Sequence, residues 1–299
     1  MYLSIIIVSY NTKELLRKCL VSILNTKLDV EIIVVDNASA DGSAAMVEKE
    51  FKNVQLVKDD KNYGFSKANN IGVKKSKGKT VLFLNPDTVV NKEVLLKTYE
   101  FLHSSEKIGI VTCRVNLQNG NLDDACHRGF PTPWNSFCYF SGLSKIFPKT
   151  KLFGGYNQTW KDLDSVHEID SCAGAFMMVK RKVGEQIGWW DEDYFWYGED
   201  LDFCYRVKEK GWQVWYCPEV SIVHYKGVSS GIKKTSQNIT QASKETRILA
   251  TKARFEAMRI FYKKHYEGNY PWVVTRAVYK AIDVFNTAST ILQCYIIRT

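Results

Sequence analysis

The stretch Thr80-Val81-Leu82-Phe83-Leu84-Asn85-Pro86-Asp87-Thr88 decides the fold of this chain. Its apolar and β-branched residues predict a buried strand, and the proline predicts a stiff turn that presents Asp87. Asp36 ends the earlier apolar run Ile32–Val35 in the same way. Because ligands of open α/β sheets lie beyond the carboxyl ends of the strands, the two acids predict a nucleotide-type site with a divalent cation at Asp87. An ordinary turn or helix entry, capped by Thr88 or Asn91, is the alternative.

The first third of the chain alternates between strand and helix patterns. Strands are expected near residues 3–8, 31–36, 54–58, 80–85 and 108–112, with amphipathic stretches between them. This alternation predicts a parallel, doubly wound α/β sheet. The turn after the first strand contains no glycine, and Gly78-Lys79-Thr80 precedes its strand instead of following it. The sequence therefore favours neither a dinucleotide-binding fingerprint nor a P-loop.

Charge and cysteine content indicate the cellular compartment and the kind of surface that the protein binds. The eight cysteines are scattered without zinc-site spacing, which predicts buried, reduced thiols and a cytoplasmic location. The apolar run Ser4–Val8 is too short for the core of a signal peptide. Of the net charge of +9, residues 230–299 supply +8, from twelve Lys/Arg minus four Asp/Glu. A basic segment at one end predicts binding to an anionic surface, either a membrane or a nucleic acid.

The basic segment has the pattern of two amphipathic helices. Apolar residues recur at helical spacing from Thr246 to Tyr266 and again after Pro271. The longest uncharged run, Val284–Ile297, has 14 residues, fewer than the ~20 needed to span a bilayer. We therefore expect basic helices that lie at the membrane interface. Packing against the catalytic domain or against a second subunit of a homodimer is the alternative.

Two further segments contain turn formers or polar groups at a predicted helix start. The loop Asp36–Ser43 is rich in turn formers and helix caps, and Asn62–Asn70 opens a helix. A helix start offers free N–H groups and a positive dipole end to a phosphate, and Lys67 adds a cation. A plain capped loop is the alternative for the first segment.

The densest cluster of acids and aromatics is Trp189–Asp202, which includes Trp196. Glu199 and Asp200 begin a predicted helix that continues to Lys210 and stops at Gly211. Neighbouring aromatics would partly desolvate a carboxylate and raise its pKa, as suits a general base near neutral pH. The alternative is that acids simply favour a helix N-terminus.

Three other features complete the candidate site. Residues 113–168 lose the alternating pattern, and Asn119-Gly120 predicts a hairpin within them. Aromatic and turn residues alternate there, which predicts an insertion that lines a ligand cleft, with ordinary core packing as the alternative for each aromatic. The small residues near Gly174 would let the backbone approach a substrate closely. His224 follows an apolar run and would supply an imidazole ligand to the cation at Asp87, although a structural histidine is the alternative.

Together these segments resemble family 2 glycosyltransferases of the GT-A fold, and are most similar to bacterial rhamnosyltransferases of surface polysaccharide synthesis. The resemblance covers roughly residues 3–230 and depends on several motifs that occur in the family's order. One motif departs from the family pattern, because Asn85 replaces the first acid of the usual Asp-x-Asp, which weakens the expectation of strict metal dependence. The motifs are Val8–Asn11, Val35–Ser39 with Asp41–Ser43, Asn62–Phe65, Asn85–Asp87, Cys172–Ala175, Gly198–Asp202 and His224.

The resemblance implies a fold and a domain organisation. The fold would be α/β, with a Rossmann-like, mostly parallel central sheet flanked by helices and a C-terminal helical extension. Residues 1–230 would form the catalytic domain, with a nucleotide-sugar half at 1–112 and an acceptor half at 113–230. Residues 231–299 would form the basic amphipathic tail.

The resemblance also implies roles for individual residues. Asp87 and His224 would hold Mg²⁺ or Mn²⁺ on the donor diphosphate. Asp200 would deprotonate the acceptor hydroxyl, and Glu199 would orient the acceptor. The nucleotide sugar would contact Tyr10, Asn11, Asp36, Lys67, Asn85 and Asp87, and the acceptor would contact Cys172, Ala173, Gly174, Trp196 and Glu199.

The implied reaction is an inverting transfer of L-rhamnose from dTDP-rhamnose to a hydroxyl of a growing, lipid-linked, cell-surface glycan. The enzyme would act in the cytoplasm at the inner face of the membrane. A hexosyltransferase that uses a UDP-sugar is the main alternative. A nucleotidyltransferase is disfavoured because the first turn lacks glycine. A glycan- or RNA-binding module is disfavoured because the basic charge lies in the tail, so no nucleic-acid partner is expected.

Overall fold

The computed structural model describes residues 2–225 and 244–296, and side chains as far as residue 290. The predicted domain boundary at residue 230 lies outside these ranges. Within them, nine strands form one sheet. The strands are β1 (Leu3–Ser9), β2 (Glu31–Asp36), β3 (Gln55–Lys58), β4 (Thr80–Leu84), β5 (Thr88–Val89), β6 (Ile108–Leu117), β7 (His167–Ile169), β8 (Phe176–Lys180) and β9 (Gln213–His224).

The sheet is parallel on one side and mixed on the other. Its order is β3-β2-β1-β4-β8-β6-β9-β5, and β7 also pairs with β9. The first four strands pair in parallel, which confirms the alternation predicted for the first third of the chain. The structure differs beyond β4, because β8 inserts antiparallel between β4 and β6. Strand β6 then pairs in parallel with β9 and extends five residues past its predicted end.

Helices pack against the sheet. Helix α8 begins directly after Gly198 and ends before Gly211, which has a positive φ of 81°, as the sequence predicts. The helices are α1 (Lys13–Leu24), α2 (Ser43–Glu50), α3 (Phe65–Lys75), α4 (Lys92–His103), α5 (Pro133–Phe140), α6 (Leu143–Ile146), α7 (Arg181–Ile187), α8 (Glu199–Glu209), α9 (Lys244–His265) and α10 (Trp272–Ile296).

The centre of the sheet forms the hydrophobic core. Every residue of β1, β4 and β8 is buried, because helices or neighbouring loops cover both faces of these strands. This is why Thr80–Leu84 reads as a continuous apolar run instead of an alternating one. The seven cysteines whose side chains are described are free and buried, as predicted.

The first C-terminal helix packs against the α/β core. Phe261 and Tyr262 of α9 are buried in one cluster with Tyr194 and Leu201. Lys264 adds an ion pair of 2.6 Å to Asp193. For α9 the structure therefore favours the alternative of packing against the catalytic domain. Among the described helices, none combines the length and apolarity required to cross a bilayer.

Candidate active site

One large cavity brings most of the predicted site residues together. It has a volume of about 1160 Å³ and lies between the carboxyl ends of the central strands and helices α5, α9 and α10. Residues that are far apart in sequence therefore face one space. The predicted residues that line it are Tyr10, Asn85, Asp87, Ala173, Gly174, Trp196, Glu199, Asp200 and His224.

The pairing of two strands places Asp87 beside His224. Strand β5 starts at Thr88, whose backbone is paired with that of His224 in antiparallel register. The resulting distance between Asp87 Oδ1 and His224 Nε2 is 3.1 Å, and both side chains are buried. Asn85 Nδ2 lies 3.4 Å from the same ring nitrogen. The Asn-Pro-Asp turn and the end of β9 thus form one polar cluster at the cavity wall.

Asp123 holds the other side of the His224 ring. Its Oδ2 lies 3.0 Å from His224 Nδ1, and its side chain is buried. Burial lowers the pKa of His224, but the charge of Asp87 and hydrogen bonds to both carboxylates outweigh it and raise the pKa to about 9. The two carboxylates therefore fix the orientation of the imidazole.

The second predicted acid, Asp200, forms a buried ion pair. Arg128 Nη2 donates to Asp200 Oδ2 at 2.7 Å, and the two side chains are only 12% and 14% exposed. The other carboxylate oxygen accepts from the backbone N–H of Leu201 at 2.7 Å. Arg128 comes from the 113–168 segment, where its backbone pairs with Ser171. Arg128, a residue outside α8, therefore holds Asp200 in the first turn of that helix.

Glu199 has a different environment from its neighbour. It is 8% exposed, and its Oε2 is buried without a hydrogen-bond partner among the described residues. Burial raises the pKa of Glu199 to about 8, and the charge of Asp200 adds to this shift. The two adjacent acids thus have different environments. Asp200 is ion-paired with Arg128, whereas Glu199 is protonated near neutral pH.

One wall of the cavity contains a hydrogen-bond network around Asn37. Its Nδ2 donates to Asn62 Oδ1 at 2.9 Å, and its Oδ1 accepts from the N–H of Tyr63 at 2.8 Å. Gly64 follows with φ +83° and ψ 176°, a conformation open essentially to glycine alone. A Cβ there would lie 2.5 Å from the carbonyl oxygen of Phe195. The glycine therefore lets α3 begin against the loop that leads to the acids.

Four predicted site residues do not line the cavity. Asn11 joins two loops by accepting from the N–H of Ala40 at 2.8 Å. Lys67 lies over the Tyr63 ring, 4.5 Å from its centroid. The assignment of Cys172 to the acceptor site was wrong, because its side chain is fully buried in the core. Asp36 lies outside the cavity lining, and its Oδ2 accepts from the N–H of Ser39 at 3.0 Å.

The irregular segment 113–168 lines the cavity, as predicted. The turn at Asn119-Gly120 is present, with Gly120 at φ +81° and an antiparallel bridge from Asn116 to Leu122. Phe137 and Tyr139 of α5 face the cavity, and Trp196 lines it while its ring stacks on that of Tyr197 at a 9° angle. Aromatic side chains therefore surround the acids Glu199 and Asp200.

Three charged residues of the site escaped the sequence analysis. Asp123 and Arg128 lie in the irregular segment, where no periodic pattern indicates which side chains turn inward. Arg254 lies on α9 among the basic residues that were interpreted as a membrane-facing tail. The only local signal was the acidic pair Asp123-Asp124 directly after the predicted hairpin.

Residues 4–184 match the family model "Glycosyl transferase family 2". The chain belongs to this family. It is therefore a glycosyltransferase that acts on sugar donors in glycan biosynthesis. The low-salt glycan biosynthesis hexosyltransferase Agl10 of Haloferax volcanii is 29% identical over 74% of this chain and 66% of its own length. The rhamnosyltransferase WbbL of Escherichia coli is 28% identical over 74% of this chain and 82% of its own.

Solved structures confirm that this glycosyltransferase has the GT-A fold. The mannosyltransferase PcManGT of Pyrobaculum calidifontis, in complex with GDP-Man and Mn²⁺, matches with a TM-score of 0.57 and 17% identity, over 98% of this chain and 73% of that one. S. aureus TarS 1-349 in complex with UDP-GlcNAc matches with a TM-score of 0.52 and 18% identity, over 85% of this chain and 66% of that one.

Proposed function

We propose that this glycosyltransferase moves a sugar, L-rhamnose from dTDP-rhamnose, onto a hydroxyl of a growing cell-surface glycan with inversion at the anomeric carbon. The observation that carries the proposal is the single cavity that joins Asp87 and His224 to Glu199 and Asp200. The similarity to the E. coli rhamnosyltransferase supports rhamnose as the sugar. A UDP-sugar is the second candidate, supported by the similarity to the structure of TarS with UDP-GlcNAc.

The Asp87–His224 pair fits a divalent cation. The described residues contain no cluster of three or more His, Cys, Asp or Glu side chains with metal-site geometry, so the protein would supply two ligands. Their separation of 3.1 Å is close to the ~3 Å between adjacent ligands of an octahedral ion bound at ~2.1 Å. Mg²⁺ commonly takes one or two protein ligands and completes its shell with water and substrate phosphates. A metal ligand must be deprotonated, so Mg²⁺ or Mn²⁺ bound here would displace the proton from His224 Nε2. The ion would offset the negative charge of the leaving diphosphate.

Donor recognition would begin beside this pair. Tyr10 and the Asn37–Asn62 network line the cavity wall at the carboxyl ends of β1 and β2, where nucleotides bind in open α/β sheets. Asn85 would contact the ribose. Asp36 retains one buried carboxylate oxygen without a partner in the described structure. That oxygen would accept a hydrogen bond from the base or ribose.

The two acids would have different roles toward the acceptor. Asp200, held in place by its ion pair with Arg128, would accept the proton of the attacking hydroxyl. Glu199, protonated near neutral pH, would donate a hydrogen bond that orients the acceptor. Ala173 and Gly174 would allow close approach of the acceptor to the backbone, with Trp196 packed on a sugar face.

Asp200→Asn tests the assignment of the base. We expect turnover to fall by about 10²–10⁴-fold, the usual contribution of a positioned general base, while nucleotide-sugar binding persists. Asp193→Asn is the matched control, because Asp193 is 69% exposed and outside the cavity lining. Unchanged turnover in Asp200→Asn would remove Asp200 as the base.

We further propose peripheral association with the inner face of the membrane. Trp272 and Val284 of α10 are 72% and 57% exposed, and Arg276 and Lys280 lie between them on the same helix. Apolar residues with flanking lysine or arginine are typical of interfacial helices. Trp272→Glu with Val284→Glu should reduce co-sedimentation with anionic liposomes, and Val21→Glu on α1 is the control. Equal sedimentation of all three proteins would contradict the proposal.

A further inference from the structure

Two histidines meet outside the lining of the cavity. His127 follows the short 3-10 helix Asp124–Cys126, and His167 is the first residue of β7. The Nε2 atoms of the two rings lie 2.6 Å apart. Neither ring lines the candidate active site. The two imidazoles therefore form a separate cluster, to which the proposed glycosyl transfer gives no role.

Main-chain carbonyl groups fix the other nitrogen of each ring. His127 Nδ1 lies 3.2 Å from the carbonyl oxygen of Asn157, and His167 Nδ1 lies 2.8 Å from that of Ser165. A carbonyl oxygen only accepts hydrogen bonds, so each Nδ1 carries the hydrogen and donates it. In a neutral imidazole the remaining nitrogen is then an acceptor with a bare lone pair. The two Nε2 lone pairs therefore face each other.

The two rings lack one hydrogen for these contacts. Three contacts each require a hydrogen, namely the two Nδ1 contacts and the contact between the Nε2 atoms, but two neutral imidazoles carry only two. A cation between the Nε2 atoms, either a proton or a metal ion, removes the conflict. Burial lowers the pKa of both rings, to about 4 for His127, where the neighbouring His167 adds to the shift. Both rings are therefore neutral near pH 7, which is the form that binds metal ions.

We propose that His127 and His167 bind one divalent transition-metal ion of the class that prefers imidazole, such as Zn²⁺, through their Nε2 atoms. Histidines that ligate metals almost always donate their other ring N–H to a carbonyl, a carboxylate or water. Both rings already make this second contact to a main-chain carbonyl. Their chemistry differs from that of the Asp87–His224 pair, because two nitrogen ligands select transition metals over Mg²⁺.

A small movement of one ring would complete the geometry. Two nitrogen ligands at ~2.0–2.1 Å from a tetrahedral Zn²⁺ lie about 3.4 Å apart, so the rings must separate by about 0.8 Å from their present 2.6 Å. His167 is only partly buried and begins a strand of three residues, so it is the ring that can move. Water entering from the exposed side of His167 would fill the remaining coordination positions.

The position of the pair gives the metal a structural consequence. His127 directly precedes Arg128 and lies four residues after Asp123, and both of these residues belong to the candidate active site. His167 is paired with Tyr216 of β9, and both histidine rings pack against the Tyr216 ring. A bound ion therefore joins the segment that contributes Asp123 and Arg128 to the central sheet.

Calorimetric titration of the full chain with Zn²⁺ tests the site. Excess Mg²⁺ is present to compete for the Asp87–His224 pair. We expect His167→Gln to weaken Zn²⁺ binding by at least about tenfold, since even the outer-shell partners of a metal ligand contribute about 10–100-fold. His103→Gln is the matched control, because His103 is an exposed histidine whose Nε2 contacts Thr80 Oγ1 instead of a second imidazole. Equal Zn²⁺ affinity of His167→Gln and the wild-type protein would overturn the proposal.

Two further measurements locate the ion. Asp87→Ala should retain the Zn²⁺ affinity of the wild-type protein, and its loss there would place the ion at the other pair and overturn the proposal. X-ray absorption at the zinc edge of the wild-type protein, loaded with one equivalent of Zn²⁺, should show imidazole nitrogens at ~2.0–2.1 Å. Sulfur at ~2.3 Å would place the ion on cysteines and contradict the assignment. This measurement needs no variant, so it decides the question even if His167→Gln does not fold.

Discussion

Glu199→Gln should make the protein more stable at high pH while it impairs the active site. The pKa of Glu199 rises from 4.5 in an unfolded chain to about 8 in the folded protein, first because of burial and then because of the Asp200 charge. Between these two values the folded state binds more protons than the unfolded state, so stability falls as pH rises. Glutamine resembles the protonated acid and does not titrate, so the stability of the variant should lack this contribution to the fall with pH.

The size of the effect follows from the shift. Each pH unit within the window costs about 1.4 kcal/mol, so a shift from 4.5 to about 8 sets an upper limit of about 5 kcal/mol. We therefore expect the wild-type protein and Glu199→Gln to differ little at pH 5. The variant should gain steadily up to pH 8, and the difference should then stay constant.

Urea unfolding from pH 5 to pH 9, followed by tryptophan fluorescence, measures this difference. Glu209→Gln is the matched control, because Glu209 is an exposed residue at the other end of α8. It should follow the pH dependence of the wild-type protein. If Glu199→Gln also follows it, Glu199 titrates normally, and the protonated role proposed for it is refuted.

Three further outcomes follow from the geometry. Asp200→Asn and Arg128→Gln should each lower the unfolding free energy by about 3–5 kcal/mol, because each leaves the other residue buried without its ion-pair partner. In urea unfolding, the double variant should lose at least 1 kcal/mol less than the sum of the two single losses. Gly64→Ala should lower the midpoint of thermal unfolding far more than Gly120→Ala, because both have positive φ but only the first Cβ would collide with a carbonyl oxygen. Equal losses would contradict that reading. Asp123→Asn should weaken Mn²⁺ binding about 10–100-fold in electron paramagnetic resonance titrations, because it removes the carboxylate that orients His224; unchanged affinity would exclude this role.

The sequence predicted the parts of the site that local patterns determine. Asp87 and Asp200 each follow a clear strand or helix boundary, so the position of each side chain could be inferred from its own segment. Their convergence was predicted only from the rule for strand ends and from family resemblance. The antiparallel position of β8 between β4 and β6 could not be predicted locally. A buried strand has the same apolar pattern whether it pairs with its neighbours in parallel or antiparallel.

Residues placed by tertiary contacts could not be predicted in this way. Arg128 reaches Asp200 from an irregular segment 72 residues away. Cys172 was misassigned because the motif Cys172–Ala175 was treated as one surface, although only the residues after the cysteine line the cavity. The apolar face of α10 was predicted correctly as a helical stripe. Its residues Val274, Val278 and Ile282 nevertheless face the cavity, and only the packing of α10 against α9 reveals this.

Donor binding is the most direct test of the central claim that this cavity is a nucleotide-sugar site. Wild-type protein and Asp87→Ala would be heated with dTDP-rhamnose, UDP-glucose, UDP-galactose, UDP-N-acetylglucosamine or GDP-mannose, each with Mn²⁺ or EDTA. A ligand present at 100 times its Kd should stabilise the folded wild-type protein by about 2.7 kcal/mol. We expect a clear rise of the unfolding midpoint with dTDP-rhamnose, lost in EDTA and in Asp87→Ala. An equal rise in Asp87→Ala, or no rise with any of the five donors, would contradict the account.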